Sequence, residues 1–314
     1  MDEIIRFIQS QERFAVTSHA RPDGDSIGSE LGLAFALEEL GKTVHVLNAD
    51  LHPRPYNSLP GIHKIRVTDR VEGNYDGLFV LECNDLKRPE LEGLDEYFVI
   101  NIDHHPKTKP FGDLNWVDPS AAAVGEMIYH LVKALQVPLT PEITTNLYAA
   151  ILTDTGSFQY SNTGPGTFLV VSDLVNNGAD PNAIAQAVYM TQPYSRIQLL
   201  GVLLNTLELH PSKKIALMTL TQEMLQKTGA SANDTEGLVN YALSIQGVLL
   251  AAFFREEGKN QYRVSLRSKD HYDVGSVAEH FGGGGHKNAA GLALQGSFKE
   301  ARDKVVSELE KLLD

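Results

Sequence analysis

His19-Ala20-Arg21-Pro22-Asp23-Gly24-Asp25 is the stretch of sequence that decides the fold prediction. It follows residues 14–18, an alternating run of β-formers that predicts a buried strand. From Ser26 onward, apolar residues recur at three- and four-residue spacing, which predicts a helix that ends at Gly41. The histidine and the two aspartates therefore lie in a strand-to-helix loop, where open α/β sheets place their ligand sites.

The side chains of this loop suggest metal chemistry. One imidazole and two carboxylates stand close together in the chain, and oxygen ligands with one nitrogen suit manganese, magnesium, iron or zinc. The alternative is a polar turn in which an aspartate caps the helix and the histidine has no role. Taken alone, the stretch leaves both interpretations open.

Composition limits the classes of function. The chain has 314 residues with 42% hydrophobic and 21% charged side chains, which is ordinary for a globular protein of one large or two smaller domains. A formal charge of −13 argues against long duplex nucleic acid as a partner, because that affinity is built from many Lys/Arg–phosphate contacts. The single cysteine, Cys83, fits a reducing compartment, and we expect a buried structural thiol there. With neither a signal-peptide pattern nor a membrane-spanning run, we expect a cytoplasmic protein without a membrane partner.

Strands and helices alternate through the first half of the chain. Further strands are predicted at 43–48, 77–82 and 97–103, and helices at 120–135, 141–154, 167–175 and 181–189. This alternation predicts an α/β fold with a mostly parallel sheet and helices on both faces. We expect this first domain to span residues 1–190.

The pattern changes after Pro193. A helix at 197–209 is expected to bridge two domains, within a linker that we place at 191–209. Strands follow at 215–220, 248–255 and 262–268, with short helices before Ser244, a glycine-rich loop and a closing helix at 298–312. Residues 210–314 therefore form a smaller α+β domain in this prediction.

More acids and imidazoles stand where first-half elements end. Glu82 ends one predicted strand, Asp103-His104-His105 ends the next, and Asp154 ends the helix that begins near Pro141. Because the carboxyl ends of parallel strands share one edge of a sheet, we expect these side chains to meet the first loop there. They are more than one ion needs, and they suit two ions that share a carboxylate, the arrangement used for in-line displacement at phosphorus.

These motifs, in this order, resemble the DHH phosphoesterase superfamily. The glycine-rich stretch from Gly282 to Gly291, with His286, Asn288 and two alanines, resembles the substrate loop of the DHH-associated C-terminal domain. Together the two motif sets cover nearly the whole chain. The resemblance implies two divalent cations, Mn²⁺ before Mg²⁺ or another divalent ion.

Individual roles also follow from the resemblance. It implies that His19 and Asp23 hold one metal, while Asp25, His104 and Asp154 hold the second. Glu82 would bridge the two metals, although most of the family has aspartate there, and Asp85 is the rival candidate. Two catalytic roles remain: His105 would face the substrate phosphate, and Asp103 would orient a histidine as a hydrogen-bond acceptor.

The second domain is expected to bind the substrate. Consecutive glycines let backbone N–H groups approach an anion, and an arginine can fork onto phosphate oxygens. A flexible glycine linker is the alternative. The candidate substrate residues are Gly283, Gly284, Gly285, His286, Asn288, Arg267 and, as the weakest of them, Arg255.

Within the superfamily, the compact two-domain length resembles the oligoribonuclease/pAp phosphatase branch. That likeness implies hydrolysis of short single-stranded oligonucleotides and of 3′-phosphoadenosine 5′-phosphate (pAp) to mononucleotides. A phosphodiesterase of cyclic dinucleotides or of pApA is the close alternative. A catalytically silent nucleotide- or RNA-binding protein is the alternative from another class, and the retained ligand set argues against it. A homodimer is compatible with the sequence, which does not determine the oligomeric state.

Overall fold

The computed structural model divides the chain into two units, Met1–Thr191 and Gln192–Asp314. The structure describes residues 1–106 and 108–313, without the side chain of His286. None of the helices among these residues is long and apolar enough to cross a lipid bilayer.

The first unit is built on a six-stranded parallel sheet, as the strand–helix alternation predicts. Its strand order is β3-β2-β1-β4-β5-β6, so β1 pairs with β2 on one side and with β4 on the other. The strands are β1 Arg13–Thr17, β2 Thr43–Asn48, β3 Ile65–Val67, β4 Gly77–Leu81, β5 Val99–Asp103 and β6 Leu114–Val117. The short edge strands β3 and β6 carry too few apolar residues to stand out in the sequence.

The first unit also contains α-helices. They are α1 Asp2–Ser10, α2 Gly24–Glu39, α3 Val124–Ala134, α4 Pro141–Asp154, α5 Pro165–Asn176 and α6 Pro181–Tyr189. Helix α3 begins later than predicted, because residues 120–123 form a turn that leads into it.

The two faces of the parallel sheet are covered differently. Buried side chains of the helices join the cluster on one face, which includes Phe14, Phe79 and Ile100. The other face is covered by connecting segments, through residues such as Val71 and Leu94. The structure thus confirms the mostly parallel α/β sheet and refines the expectation of helices on both faces. Both faces are buried, and every residue of β4 and β5 is accordingly buried, including Asn101 and Asp103 of β5.

A row of glycines brings α2 against α4. Gly24, Gly28 and Gly32 recur every four residues of α2, so they lie on one face of the helix. A Cβ at Gly28 would lie 2.4 Å from the main-chain oxygen of Asn146 in α4, and one at Gly32 would lie 2.5 Å from the Leu147 side chain. Only glycine permits this separation, which carries the first turn of α2 toward the last turn of α4.

The second unit contains a six-stranded mixed sheet in the order β11-β12-β10-β9-β8-β7. Strands β8 and β9 are parallel, and the other neighbouring pairs are antiparallel. The strands are β7 Glu208–Leu209, β8 Ile215–Leu220, β9 Leu250–Gly258, β10 Gln261–Ser268, β11 Gly284–His286 and β12 Ala289–Gln295, and the helices are α7 Tyr194–Leu204, α8 Gln222–Thr228, α9 Val239–Leu243, α10 Val274–His280 and α11 Phe298–Lys311.

Two predictions for this unit are wrong in detail. The predicted helix 197–209 ends at Leu204, because its last residues pair with β8 as strand β7. Helix α7 also buries Leu199 and Leu203 against the second unit's own sheet and helices. The glycine-rich loop is partly a strand, since Gly284–His286 forms the edge strand β11 of the sheet.

Substitution of Gly28 tests the glycine contact between α2 and α4. Gly28→Ala should lower the stability of the first unit by about 1–3 kcal/mol, because the added methyl meets a main-chain oxygen that cannot yield. Urea unfolding followed by the fluorescence of Trp116, the chain's single tryptophan, measures this in the first unit.

Gly166→Ala is the matched control, because this glycine also lies in a helix of the first unit and its Cβ would stay 3.9 Å from the nearest atom. That variant should unfold at or above the wild-type midpoint. A wild-type midpoint for Gly28→Ala would contradict the close-packing argument.

Candidate functional site

The order of the strands brings three loops of the first unit together. Strands β1, β4 and β5 are consecutive neighbours in the sheet, and each ends in a segment that carries predicted site residues. Asp154 is the last residue of α4, which packs on α2 through the glycine row. The parallel topology and one helix contact thus assemble residues from across the first 154 positions.

Among the described residues, three groups of side chains have the composition of a metal site: Glu82 with His104 and His105 is one, and the other two share no residue with each other. In the first of these two, ligand atoms of His19, Asp23 and Glu82 lie within 4.8 Å of one another, and Asp25, His104 and Asp154 do the same in the second. Glu82 also lies close to His104, with 3.3 Å between its Oε1 and the histidine Nε2. The second group is further tied by 3.5 Å between that Nε2 and Oδ2 of Asp154. We refer to these two groups as the first and second clusters.

Glu82, rather than its rival Asp85, lies among these side chains. It is 4% exposed, and its backbone adopts the left-handed conformation with φ of 58°. For a residue other than glycine this conformation costs about 1–2 kcal/mol. Asp85 is exposed and accepts the main-chain N–H groups of Lys87 and Arg88, which makes it a turn residue.

Asp25 is held by the start of helix α3. Its carboxylate accepts the main-chain N–H groups of Val124 at 2.7 Å and Gly125 at 2.9 Å, and the hydroxyl of Ser29 at 2.9 Å. Burial, together with the charge of Glu82, raises the pKa of Asp25 to about 7. The same two causes, and Asp25 itself, raise the pKa of Asp154 well above its ordinary value. These carboxylates repel one another unless a positive charge lies among them.

Backbone carbonyls orient His19 of the first cluster and His104 of the second. Nδ1 of His19 bonds the oxygen of Ala20 at 2.9 Å, and Nδ1 of His104 bonds that of Ala121 at 3.1 Å. A carbonyl only accepts, so each Nδ1 carries the proton and each Nε2 is left toward the carboxylates. Burial lowers the pKa of both histidines, but nearby acids outweigh it and raise them to about 9 for His19 and about 11 for His104.

Asp103 orients His105 and not His104. Its Oδ1 lies 2.7 Å from Nδ1 of His105, and the same oxygen accepts the main-chain N–H of His104 at 2.8 Å. Its Oδ2 accepts the hydroxyl of Thr108. Asp103 is fully buried, so this aspartate fixes the ring of His105 without entering either cluster.

Some supporting residues carried no signal in the sequence. Ser29 and Thr108 bond site carboxylates, and residues 121–125 supply a carbonyl for His104 and two N–H groups for Asp25. In the sequence, Ser29 and Thr108 are distinguished only by their position shortly after a predicted metal motif. A run of alanines before a helix has no chemical signature at all, so those main-chain contacts appear only in the fold.

In the second unit, Arg267 lies on β10 next to the glycine stretch. The register pairs Arg267 with Ala289 of β12, and Ala289 with the backbone of His286 in β11. A Cβ at Gly283 or Gly285 would lie within 2.5 Å of a main-chain oxygen of β12, so these two glycines are required by packing. Gly284 has open space around it and an ordinary backbone conformation. The side chain of His286 lies outside the described part of the structure.

Two other predicted substrate residues bond within the second unit. The Arg255 guanidinium donates to Thr235 at 2.9 Å and to Glu257 at 2.6 Å. The Asn288 amide donates to the hydroxyl of Ser268 at 2.9 Å and to the carbonyl of Asp270 at 3.1 Å. Both side chains thus hold neighbouring segments of their own unit.

Cys83 is buried on the sheet face opposite to the helices and is part of neither cluster, although its neighbour Glu82 belongs to the first. Burial, with the charge of Glu82, raises the pKa of the Cys83 thiol well above its ordinary value. A buried thiol of raised pKa is a poor nucleophile.

Comparison with known proteins places the chain among relatives of similar length. It is 34% identical to the bifunctional oligoribonuclease and PAP phosphatase NrnA of Thermus thermophilus, over 95% of this chain and 89% of the relative. It is 32% identical to the probable bifunctional oligoribonuclease and PAP phosphatase NrnA of Streptococcus mutans, over 99% of this chain and 98% of the relative.

A solved structure agrees with these likenesses. The crystal structure of an exopolyphosphatase-related protein from Bacteroides fragilis superposes with a TM-score of 0.93 at 29% identity, covering 100% of this chain and 97% of that one. Residues 13–151 match the DHH family, N-terminal domain, and residues 213–314 match the DHHA1 domain. The chain therefore belongs to the DHH family, as its metal motifs and glycine stretch predict.

Proposed function

We propose that this chain is a divalent-cation-dependent phosphoesterase that hydrolyses short oligonucleotides and pAp to mononucleotides. The observation that carries the proposal is the pair of histidine–carboxylate clusters at one edge of the parallel sheet. Glu82 belongs to the first cluster and lies 3.3 Å from His104 of the second. The names of the full-length relatives supply the substrate class.

The donor set fits two divalent cations. His19 and Asp23 would hold one, Asp25, His104 and Asp154 the other, and Glu82 would serve both. Hard carboxylate oxygens with one imidazole nitrogen in each cluster suit Mn²⁺ or Mg²⁺, and we propose Mn²⁺ as the preferred ion. Such ions, when bound, supply charge stabilisation at phosphorus and lower the pKa of water.

His105 and Asp103 are assigned to the substrate phosphate. Asp103 holds the proton of His105 on Nδ1 and fixes the ring, so the histidine needs no reorientation when a phosphoryl oxygen is present. Burial lowers the pKa of His105, but its hydrogen bond to Asp103 and the negative charges of Glu82 and Asp103 outweigh burial and raise that pKa. A more basic imidazole is more readily protonated, and an imidazolium is the better partner for a phosphate.

The second unit is assigned to the rest of the substrate. Arg267 can fork onto phosphate oxygens, and the open space around Gly284 lets an anion approach the backbone of β11. We assign His286 to the same anion because its backbone lies in that strand. Arg255 and Asn288 are assigned to holding this surface in place, because their polar groups tie separate segments of the unit together, whereas Arg267 donates to the main-chain oxygen of its neighbour Leu266.

The formal charge of −13 limits the length of the substrate. Affinity for a long strand grows with the number of cation–phosphate contacts, and an acidic surface offers few of them. A substrate of a few nucleotides needs only the local groups named above. Short oligonucleotides and pAp meet this condition.

Substitution of Glu82 tests the shared carboxylate. Glu82→Gln should lower kcat on pAp and on a labelled dinucleotide by at least about a hundredfold, which corresponds to about 3 kcal/mol of lost charge stabilisation. Initial rates with saturating Mn²⁺ measure the change. Asp85→Asn is the control, because that exposed acid lies outside the clusters, and its rates should match wild type. Equal losses in the two variants would remove Glu82 from its assigned role.

Substitution of Arg267 tests the anion site of the second unit. Arg267→Ala should raise KM for pAp by about ten- to a hundredfold and change kcat little, because the guanidinium is assigned to binding the substrate before and during reaction alike. Arg263→Ala is the control. Arg263 lies on the same strand as Arg267, but it pairs with Glu257. An unchanged KM for Arg267→Ala would place the anion site elsewhere.

A further inference from the structure

Residues 121–125, which we call the 121–125 segment, contact two ligands of the second cluster through the main chain. The carbonyl of Ala121 bonds His104, and the N–H groups of Val124 and Gly125 bond Asp25. A shift of this short segment would therefore move an imidazole and a carboxylate together. Other contacts must therefore fix the position of the 121–125 segment.

Glu126 provides one support from inside helix α3. Its Oε2 accepts the N–H of Ala122 at 3.0 Å and the hydroxyl of Thr167 at 3.2 Å. Glu126 is only 8% exposed, and no cationic side chain pairs with it among the residues that the structure describes. A carboxylate buried without a cation is unfavourable for stability, so the presence of Glu126 at this position calls for another reason. The reason we identify is the fixed position of Ala122.

Asn162 provides the second support and reaches the third ligand. Its Nδ2 donates to the carbonyl of Ala122 at 2.9 Å and to the carbonyl of Asp154 at 3.2 Å. One amide thus ties the 121–125 segment to the end of α4, where the Asp154 carboxylate joins the second cluster.

The chain turns back sharply to place Asn162 there. Gly156, Ser157 and Phe158 are consecutive residues in the left-handed region, with φ of 55°, 61° and 65°. Each of the two residues with a side chain loses about 1–2 kcal/mol in that conformation. Strain of this kind persists where surrounding contacts enforce it, and it concentrates at functional sites. Here the turn follows directly after Asp154 and brings Asn162 back onto it.

We propose that Glu126 and Asn162 are positioning residues that hold the 121–125 segment against the second cluster and thereby set the affinity of that cluster for its divalent cation. The inference rests on the proposed function. Neither residue is a ligand in either cluster. Both act through Ala122, one on its N–H and one on its carbonyl, so loss of either should have the same consequence.

Binding of Mn²⁺ to the full-length chain tests this proposal independently of activity. Isothermal titration calorimetry and Mn²⁺ electron paramagnetic resonance should give two bound ions for the wild type. Glu126→Met, which keeps the side-chain length and removes the acceptor, should weaken one of them by about 10- to 100-fold. Glu126→Gln should restore binding to within a few-fold, because its amide oxygen still accepts the Ala122 N–H.

Asn162→Leu gives a second route, since Asn162 is exposed and its substitution buries no new polar group. It should weaken the same ion as Glu126→Met. Asn177→Leu is the matched control, because that asparagine also donates to main-chain and carboxylate oxygens, those of Asp173, away from the clusters. Both ions should bind to Asn177→Leu as they do to the wild type.

Pairwise combinations identify which ion is weakened. Adding Asp154→Asn to Glu126→Met should leave the remaining ion unaffected, whereas adding Asp23→Asn should remove tight binding altogether. Two ions bound with wild-type affinity in both Glu126→Met and Asn162→Leu would overturn the inference, as would equal weakening of both ions. A wild type that binds fewer than two ions would instead count against the proposed function.

Discussion

Repulsion among clustered carboxylates, two buried and one half-buried, is the constraint on which the rest of the first unit depends. Asp25, Glu82 and Asp154 share one small region with two imidazoles, and burial with their mutual charge raises the pKa of Asp25 and Asp154. Such a group of acids is stable only where fixed dipoles or cations offset the charge. The N-terminus of α3 supplies part of this through the Val124 and Gly125 N–H groups. Divalent cations bound among these carboxylates would supply the rest of the compensating positive charge.

The fold brings these acids together through a close helix approach and through left-handed backbone conformations, both of which most residue types disfavour. Helices α2 and α4 approach closely only because Gly28 and Gly32 carry no side chain. Glu82 points into the site from a left-handed backbone, and Ser157 and Phe158 adopt the same conformation just after Asp154. Three residues around one site thus adopt a backbone conformation that their residue types disfavour. This is the pattern expected where a functional site requires a particular geometry.

The second unit uses its sheet in a different way. Its glycines have two separate purposes, since Gly283 and Gly285 permit β11 to pack on β12, while Gly284 leaves space beside the strand. Arginines on neighbouring strands also differ, because Arg255 holds residues 232–235 whereas Arg267 lies in register with the glycine stretch. A residue type that suits phosphate is therefore not sufficient to assign a phosphate contact.

The sequence by itself determined the parallel α/β unit and the family, and it predicted the side chains that the structure gathers in the two clusters, with Asp85 left as a rival to Glu82. Those features rest on local periodicity and on side chains with distinctive chemistry, both of which are written residue by residue. Only the tertiary structure decided that Glu82 and not Asp85 joins the clusters, that Asp103 orients His105, and that residues 121–125 hold His104 and Asp25. These outcomes depend on left-handed backbone conformations and on main-chain hydrogen bonds between distant segments. A main-chain N–H or carbonyl is the same in every residue, so its partner is fixed by the fold and leaves no trace in the order of side chains.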